Sequence, residues 1–447
     1  MRRSEKLIET EILVIGGGVA GLLAATKATD EKLEVTVIDK GSGASYQSSG
    51  VIDVMGCPLG EATLKPIEGI AQVIECSPSH PYSVISSERN VTNVIKDAIR
   101  YLTSMASNRG VEFKGEIERN VVLLNTIGSF KLTCFYQSTM DRGVLHKLEG
   151  ASLLVTGFKG LVGFNARFCS SSFKHFASKF NIELRKTSST ELSLPSLREF
   201  NLTIIELARM MDEDDFRKDL AKKLETEIAV NDVSHVALPT LGLKKPYENM
   251  RIFEEETGTS VFELVSPPPS VPAQRLMEAL EEEAIERGVR IFRGYKAVGF
   301  EGEGRSIKSV TLASGEKRFP AKAKAYILAT GKFIGGGIVE ERDKVKETVF
   351  NLPLYDEKGE PLKRQNISRL LAKSPFPREG HPLMGCGVKV NAQMKPVVND
   401  EVAYDNLFAA GSIISGYNYV REKSGMGVAA VTGYIAGMNA ATHVEGG

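Results

Sequence analysis

The pattern of apolar and polar positions predicts an ordered set of strands and helices. Ile12, Leu13, Val14 and Ile15 form an unbroken apolar run, which predicts a buried strand. An apolar helix follows over 19–29. Val35-Thr36-Val37-Ile38 then predict a second strand that ends on Asp39. Residues 88–109 have helical spacing and stop at Gly110. From about residue 120 the pattern changes: strand over 152–156, helix over 165–179, a long charged helical pattern over 199–228, strand over 236–239 and a short helix over 246–257. Pro267-Pro268-Pro269 closes this stretch, because consecutive prolines cannot continue a helix. An amphipathic helix over 272–287, stopped by Gly288, and a strand over 289–292 come next. Short strand-like pieces with turns at 302–304 and Gly315 lead to the apolar strand Ala325-Tyr326-Ile327-Leu328-Ala329, which runs into Thr330-Gly331. Residues 341–385 are rich in loops and prolines. The last block is 406–412, then Ser424-Gly425-Met426-Gly427 and an apolar, glycine-bearing helix to about 441. No internal repeat or low-complexity tract interrupts this order.

Between the first strand and the first helix, Gly16, Gly18 and Gly21 spell G-x-G-x-x-G. In that context the spacing is chemical. Gly16 permits a tight turn, Gly18 lets backbone approach a pyrophosphate, and Gly21 lets helix and strand pack closely. The helix N-terminus offers N–H groups and positive dipole to phosphate. Asp39 accepts from ribose hydroxyls and disfavours a 2′-phosphate. The predicted fold is therefore α/β: a three-layer, Rossmann-like domain of the FAD/NAD(P)-binding kind with a parallel sheet, interrupted by an inserted α+β domain. The nucleotide-binding parts are expected at 1–119, 266–340 and 386–447, the insert at 120–265, and a substrate-side loop region at 341–385.

Charge and cysteines narrow the function. Lysine plus arginine number 56 and so do aspartate plus glutamate, so the net charge is zero and nothing points to nucleic acid. Cys57, Cys76, Cys134, Cys169 and Cys386 make no C-x-x-C pair, which argues against an iron–sulfur cluster, a zinc site or a disulfide oxidoreductase. No metal site is expected. Scattered thiols suit a reducing cytoplasm. The first ten residues are polar, with no signal-peptide pattern, and no apolar run reaches the length of a membrane span.

The blocks at 11–39, 325–331 and 406–427 resemble flavoproteins of the glutathione-reductase-like class. Within it, the chain resembles the family of anaerobic glycerol-3-phosphate dehydrogenase B-subunits. The likeness is carried by ILATGKFIGGGIVEER over 327–342, Ser49-Gly50 with Asp53, Ser79-His80-Pro81-Tyr82-Ser83, Glu199-Phe200 with Ala208-Arg209 and Asp212, and 406–412. It implies a flavin-dependent component of an enzyme complex that oxidises glycerol 3-phosphate to dihydroxyacetone phosphate. Electrons would pass to quinone through an iron–sulfur, membrane-anchoring subunit. A second flavoprotein subunit is implied too, with the substrate expected on that partner. The implied location is the cytoplasm, peripheral to the inner face of the membrane. Two other readings stand beside this one: a self-sufficient fumarate-reductase-like dehydrogenase of a small acid, and a non-catalytic flavin-binding or assembly subunit.

The expected cofactor residues are Gly16, Gly17, Gly18, Ala20 and Gly21 at the first turn, and Asp39 and Lys40 at the second strand's end. Ser48, Ser49 and Gly50 belong to a small polar loop that either covers a pyrophosphate or is ordinary surface. Val298, Ala329, Thr330 and Gly331 follow, then Gly411, Ser412, Gly425, Met426, Gly427 and Val428. Most such flavoproteins carry Gly-Asp where this chain has Gly411-Ser412; a serine hydroxyl still hydrogen-bonds but adds no charge. The residues themselves favour FAD, because Asp39 suits an adenosine ribose, whereas the resemblance implies FMN. His381, in Gly380-His381-Pro382, is the candidate proton-transfer residue, or a loop histidine without a role. Arg378 and Arg421 are candidate anion forks, Arg421 the better placed. The glycines at 335–337 suggest backbone close to a ligand or a flexible turn. His80 reads as a satisfied core or surface residue. The 199–228 pattern reads as a solvated face or a partner face.

Overall fold

The computed structural model describes residues 7–197, 201–341, 344–362 and 367–446, and its backbone divides into two units. The first comprises Met1–Ser45, Asp53–Gly110 and Met277–Gly447; the second comprises Tyr46–Ile52 and Val111–Leu276. The sequence pattern predicts an insert over 120–265. The division falls inside the helix Val271–Glu286, past the triple proline.

The first unit is built on a five-stranded parallel sheet. Its strands are β1 (Ile12–Ile15), β2 (Val35–Asp39), β3 (Arg290–Arg293), β4 (Ala325–Leu328) and β5 (Leu407–Ala409), in spatial order β3-β2-β1-β4-β5. Every pairing is parallel, with Ile12 opposite Val35 and Ala325, and Tyr326 opposite Leu407. β1, β2, β4 and β5 are buried throughout, which explains the unbroken apolar runs of β1, β4 and β5; β2 carries the buried polar residues Thr36 and Asp39. Helix α1 (Val19–Thr29) leaves β1, and helix α2 (Gly425–Gly446) packs along it. Gly433 and Gly437 make that approach possible: a Cβ at either would collide with the backbone oxygen of Ala20 or Ala24. The strand order reverses beside β1, so the crevice past the carboxyl ends of β1 and β4 is the position where open α/β sheets hold ligands. An antiparallel meander, Lys296–Glu303, Ser306–Ser314 and Lys317–Lys322, accounts for the short strand-like stretch in the sequence.

The second unit corrects one expectation. Its sequence pattern predicts α+β, yet its four-stranded sheet is parallel throughout, in the order Ser260–Glu263, His235–Leu238, Ser152–Phe158, Lys186–Leu192. Helices cover both faces because side chains alternate across a strand. Val236 and Leu238 pack with Leu207, Phe216, Leu220 and Phe253, while Ala237 and Phe262 pack with Ala166, Cys169 and Phe173. Antiparallel pairing here includes two small ribbons, Phe113–Gly115 with Phe135–Gln137 and Val121–Leu124 with Phe130–Thr133. The charged pattern over 199–228 is two helices, Ile204–Met211 and Asp214–Asn231; Thr203 and Glu206 form a capping box that starts the first. Glu199 and Phe200 lie outside the described residues.

Candidate functional site

Four strand ends of the first unit converge on one set of loops. β1 leads into Gly16, β2 ends on Asp39, β4 leads into Ala329-Thr330-Gly331, and β5 leads into Gly411-Ser412. Gly16 has φ +119°, and a Cβ there would strike the Ala329 carbonyl. Only glycine suits both demands. A Cβ on Gly21 would strike the Gly16 carbonyl, and one on Gly17 would come within 2.9 Å of Asp39 Cγ. The turn is thus closed by backbone on one side and by the Asp39 carboxylate on the other.

Gly18 is the N-cap of α1 and has no side chain of its own to cap it, and the positive end of the helix dipole lies at this turn. The Val19 N–H donates to Ser45 Oγ at 3.1 Å, which places a hydroxyl of the 41–45 loop at that helix end. Burial pushes the Asp39 carboxyl above its usual range, against N–H donation from Gly41 and Gly17. Lys40 reaches across to the Gly335 carbonyl at 3.2 Å, and so holds the glycine turn after β4 to the end of β2. Thr330 Oγ1 is buried and has no hydrogen-bond partner among the described residues. A glycine cradle, a helix N-terminus whose N-cap is glycine and an orphaned hydroxyl at the same strand ends fit a bound dinucleotide.

The other wall is the start of α2. The Gly427 N–H donates to the Asp53 carbonyl at 2.8 Å, and a Cβ at Gly427 would meet Tyr82 Oη at 2.7 Å. The Gly411 N–H donates to Thr432 Oγ1 at 2.8 Å, which fixes the turn after β5 against α2. Ser412 Oγ lies near Gly331, where an added Cβ would come to 3.4 Å. Gly425 and Met426 are half-buried at the helix start and Val428 is buried behind them. Two more of the expected groups belong to other segments of the chain. Val298 sits in the meander at a register shift between Ala297 and Gly299. Ser48, Ser49 and Gly50 belong to the second unit, where Gly50 packs on Pro272.

His381 spends both ring nitrogens on its own loop. Nδ1 accepts from the Ala372 N–H at 3.1 Å, and Nε2 lies 3.2 Å from the Pro375 carbonyl. Both contacts hold the ring within its own loop. Arg421 pairs with Glu357 and lies 3.4 Å from Glu422, while its buried Nε has no partner among the described residues.

Sequence reasoning misses the polar cluster beneath these loops. Glu422, 3% exposed, accepts from His80 Nε2 at 3.1 Å, from Ser424 Oγ at 3.1 Å and from the Asn418 N–H at 3.2 Å. Burial opposes its charge, but the His80 bond and the Asn418 N–H hold its carboxyl below the usual range. His80 is fully buried, in keeping with a satisfied core residue, and its Nδ1 accepts from the Tyr82 N–H. Lys332, 2% exposed, donates to the carbonyls of Met384 and Tyr417 and lies over the Tyr417 ring, 4.9 Å from its centre. Its position directly after Ala-Thr-Gly is legible in the sequence; its burial is not.

Among the described residues no helix is long and apolar enough to cross a membrane, and no group of three or more His, Cys, Asp or Glu is placed to hold a metal ion.

Comparison with known proteins agrees with the cradle. The family model described as FAD binding domain matches residues 11–428. The B-subunit of anaerobic glycerol-3-phosphate dehydrogenase from Vibrio vulnificus (strain YJ016) is 27% identical over 439 residues, covering 96% of each chain. A probable B-subunit of the same enzyme name from Halobacterium salinarum (strain ATCC 29341 / DSM 671 / R1) is 27% identical over 451 residues, covering 98% of this chain and 99% of that one. Among solved structures, 3-ketosteroid delta1-dehydrogenase from Sterolibacterium denitrificans covers 97% of this chain and 99% of its own, at 9% identity and TM-score 0.45. The open conformation of a flavocytochrome c3 fumarate reductase covers 99% of this chain and 79% of its own, at 12% identity and TM-score 0.43.

Proposed function

This chain belongs to the FAD binding domain family, and we propose that it is a flavin-dependent oxidoreductase component of a quinone-linked glycerol 3-phosphate dehydrogenase. The observation that carries the flavin part is the convergence of Gly16, Asp39, Ala329, Gly411 and the start of α2 at the carboxyl ends of one parallel sheet. The substrate part rests on end-to-end similarity to proteins named as B-subunits of the anaerobic enzyme.

FAD is the proposed flavin. Asp39 closes β2 where an adenosine ribose needs an acceptor, and FMN has no such ribose. The Gly16–Gly21 turn and the α1 N-terminus would hold the pyrophosphate, and Ser412 the ribityl chain. The N-terminus of α2, anchored by Gly427 to Asp53, would direct its dipole to the ring's C2 carbonyl and favour negative charge there. The flavin supplies two-electron acceptance from substrate and one-electron release to a partner. Arg421 is the proposed anion contact, since Nε and the Glu357-paired end form a fork that exchange of partners would open. An iron–sulfur subunit is the proposed electron acceptor and a second flavoprotein subunit the proposed partner, peripheral to the membrane through that assembly.

The test uses the purified chain. Flavin released by denaturation is identified by chromatography, and the loaded chain is mixed anaerobically with glycerol 3-phosphate while the flavin absorbance is followed. FAD in the extract, with bleaching by glycerol 3-phosphate alone or only with the second flavoprotein subunit present, supports the reading. FMN overturns the Asp39 argument. Bleaching by a dicarboxylate or hydroxy acid instead moves the chain to the small-acid reading. Absence of flavin after reconstitution moves it to a non-catalytic role.

A further inference from the structure

We propose that Lys332 is a positioning residue of the flavin site: its buried ammonium ties the 382–386 turn to the 416–419 segment and supplies the positive charge that favours the reduced flavin. The inference rests on flavin binding at the ends of β4, β5 and α2, and not on the identity of the substrate.

The geometry comes first. Lys332 follows Gly331 directly, so its backbone belongs to the cradle. Its Nζ is buried and donates to the Met384 carbonyl on the turn Pro382–Gly385 and to the Tyr417 carbonyl at 3.4 Å. Tyr417 and Tyr419 present their rings to it, with centres 4.9 and 5.8 Å away. One side chain thus joins three pieces of chain: the exit of β4, the turn that carries His381 at its N-cap, and the segment that leads into α2.

Charge comes second. The ionisable groups facing this ammonium are Glu422, Glu357, Cys386, Tyr417 and Tyr419, with Arg421, His80 and Asp356, which acts on Cys386, around them. Burial pushes the Cys386 thiol up to about 11 and the Tyr417 and Tyr419 hydroxyls above their usual range, so these three are uncharged at neutral pH. Arg421 balances Glu357. His80 Nδ1 accepts from the Tyr82 N–H and its Nε2 lies 3.1 Å from Glu422. The Glu422 carboxyl, held below its usual range, lies three residues before the first residue of α2, where its negative charge opposes the dipole of that helix. Lys332 is the cation that cancels it. Without Lys332 the cluster carries one extra negative charge beside a ring that must accept electrons.

Burial also pushes the Lys332 ammonium down to about 8. Protonated below that pH, it is neutral above it, whereas in the unfolded chain it stays charged to about pH 10.4. The unfolded state therefore binds more protons between these values. The flavin-free fold bears the full penalty of the buried charge below pH 8 and is relieved of it as pH rises. A purely structural clamp would be missed most when it is removed. A charge held for the cofactor would be missed in the potential, and its removal would relieve the fold.

The experiment is a dye-coupled redox titration of the flavin-loaded chain from pH 6.5 to 10, for wild type, Lys332→Met and Lys332→Arg, with thermal unfolding of the flavin-free chains over the same range. For wild type the plot of midpoint potential against pH is expected to change slope near pH 8. Lys332→Met is expected to have a lower potential below pH 8, no such change of slope, and a curve that meets wild type at the alkaline end. Its flavin-free thermal midpoint at pH 7 is expected to equal or exceed that of wild type. Lys332→Arg is expected to restore the potential at pH 7 and remove the change of slope. If Lys332→Met releases its flavin, retention by Lys332→Arg supports the proposal and equal loss from both overturns it. Potentials of wild type and Lys332→Met that coincide at pH 7 overturn it, as does a change of slope that persists in the variant. A wild-type chain that takes up no flavin defeats the flavin reading itself, whereas a loaded chain with coincident potentials defeats only the role of Lys332.

Discussion

Both units of this chain are built on a parallel sheet with helices against it, yet they finish the carboxyl ends of their strands in opposite ways. In the first unit those ends open onto glycines and backbone N–H groups: Gly16, Gly331 and Gly411 all have positive φ, and the N-cap of α1 is the glycine Gly18. In the second unit the corresponding end is filled. Arg275, 4% exposed, forms a double ion pair with Glu263, 1% exposed, at 3.1 Å to each oxygen, and donates to Gln137 and the Gly242 carbonyl. Thr139, Thr240 and the Leu241 N–H take further positions on the same carboxylate. A parallel sheet concentrates polar backbone at one end, and something must answer it. Here one sheet is shaped for a ligand and the other is closed by its own side chains.

The comparison breaks most visibly at Arg275. Arg275→Met should lower the stability of the chain in urea by about 3–5 kcal/mol, because Glu263 is left buried and unpaired. The double variant Arg275→Met with Glu263→Met should recover much of the loss. A single variant within ~0.5 kcal/mol of wild type would mean that this end is not a plug.

Gly16→Ala tests the open end. The left-handed φ and the Ala329 carbonyl both oppose a Cβ, which should cost roughly 1–3 kcal/mol and weaken flavin retention at least about tenfold. Far-ultraviolet circular dichroism should stay that of the folded chain. Undiminished flavin content after gel filtration would place the cofactor elsewhere.

Asp141 distinguishes the units by pH. Burial would raise its carboxyl, but Lys147 and Lys114 at 2.7 and 2.9 Å and the Tyr136 hydroxyl hold it at about 2. Its stabilising contribution is complete above about pH 4 and is lost as pH falls through 2. It amounts to roughly 2 kcal/mol at most, less what solvent screens from the two half-exposed lysines. Acid titration of Asp141→Asn, followed by circular dichroism, should lack this part of the wild-type loss. The smallest effect belongs to Asn165, whose side chain caps the helix Ala166–Ser178 by accepting from the Phe168 N–H at 2.8 Å. Asn165→Ala should cost about 1 kcal/mol and leave flavin content unchanged; a shift in flavin content would mean that the two sheet ends communicate.

Much of this is legible in the chain itself. β1, β4 and β5 declare themselves because burial on both faces demands unbroken apolar runs, and the cradle because its glycines meet local backbone constraints within one βαβ unit. The second unit's helices and strands are legible too, but the parallel order of its strands is not. Pairing among 152–158, 186–192, 235–238 and 260–263 is a choice among distant segments that leaves little trace in any one of them. His381 looks like a proton donor from its neighbours in sequence. Its ring is held by Ala372 and Pro375, a loop geometry that periodicity does not describe.

Sequence alone determined where backbone had to bend, bury or approach a ligand, because those demands act on neighbouring residues: Gly16 to Gly21, Asp39, the Ala-Thr-Gly exit and the glycines that start α2. Tertiary structure alone decided which charges meet. Residues 80, 332, 386, 417 and 422 share one buried cluster only after folding, with Glu357 and Arg421 at its half-buried edge. The charge of Lys332 matters because burial removes the water that would screen it, and no local pattern records that loss.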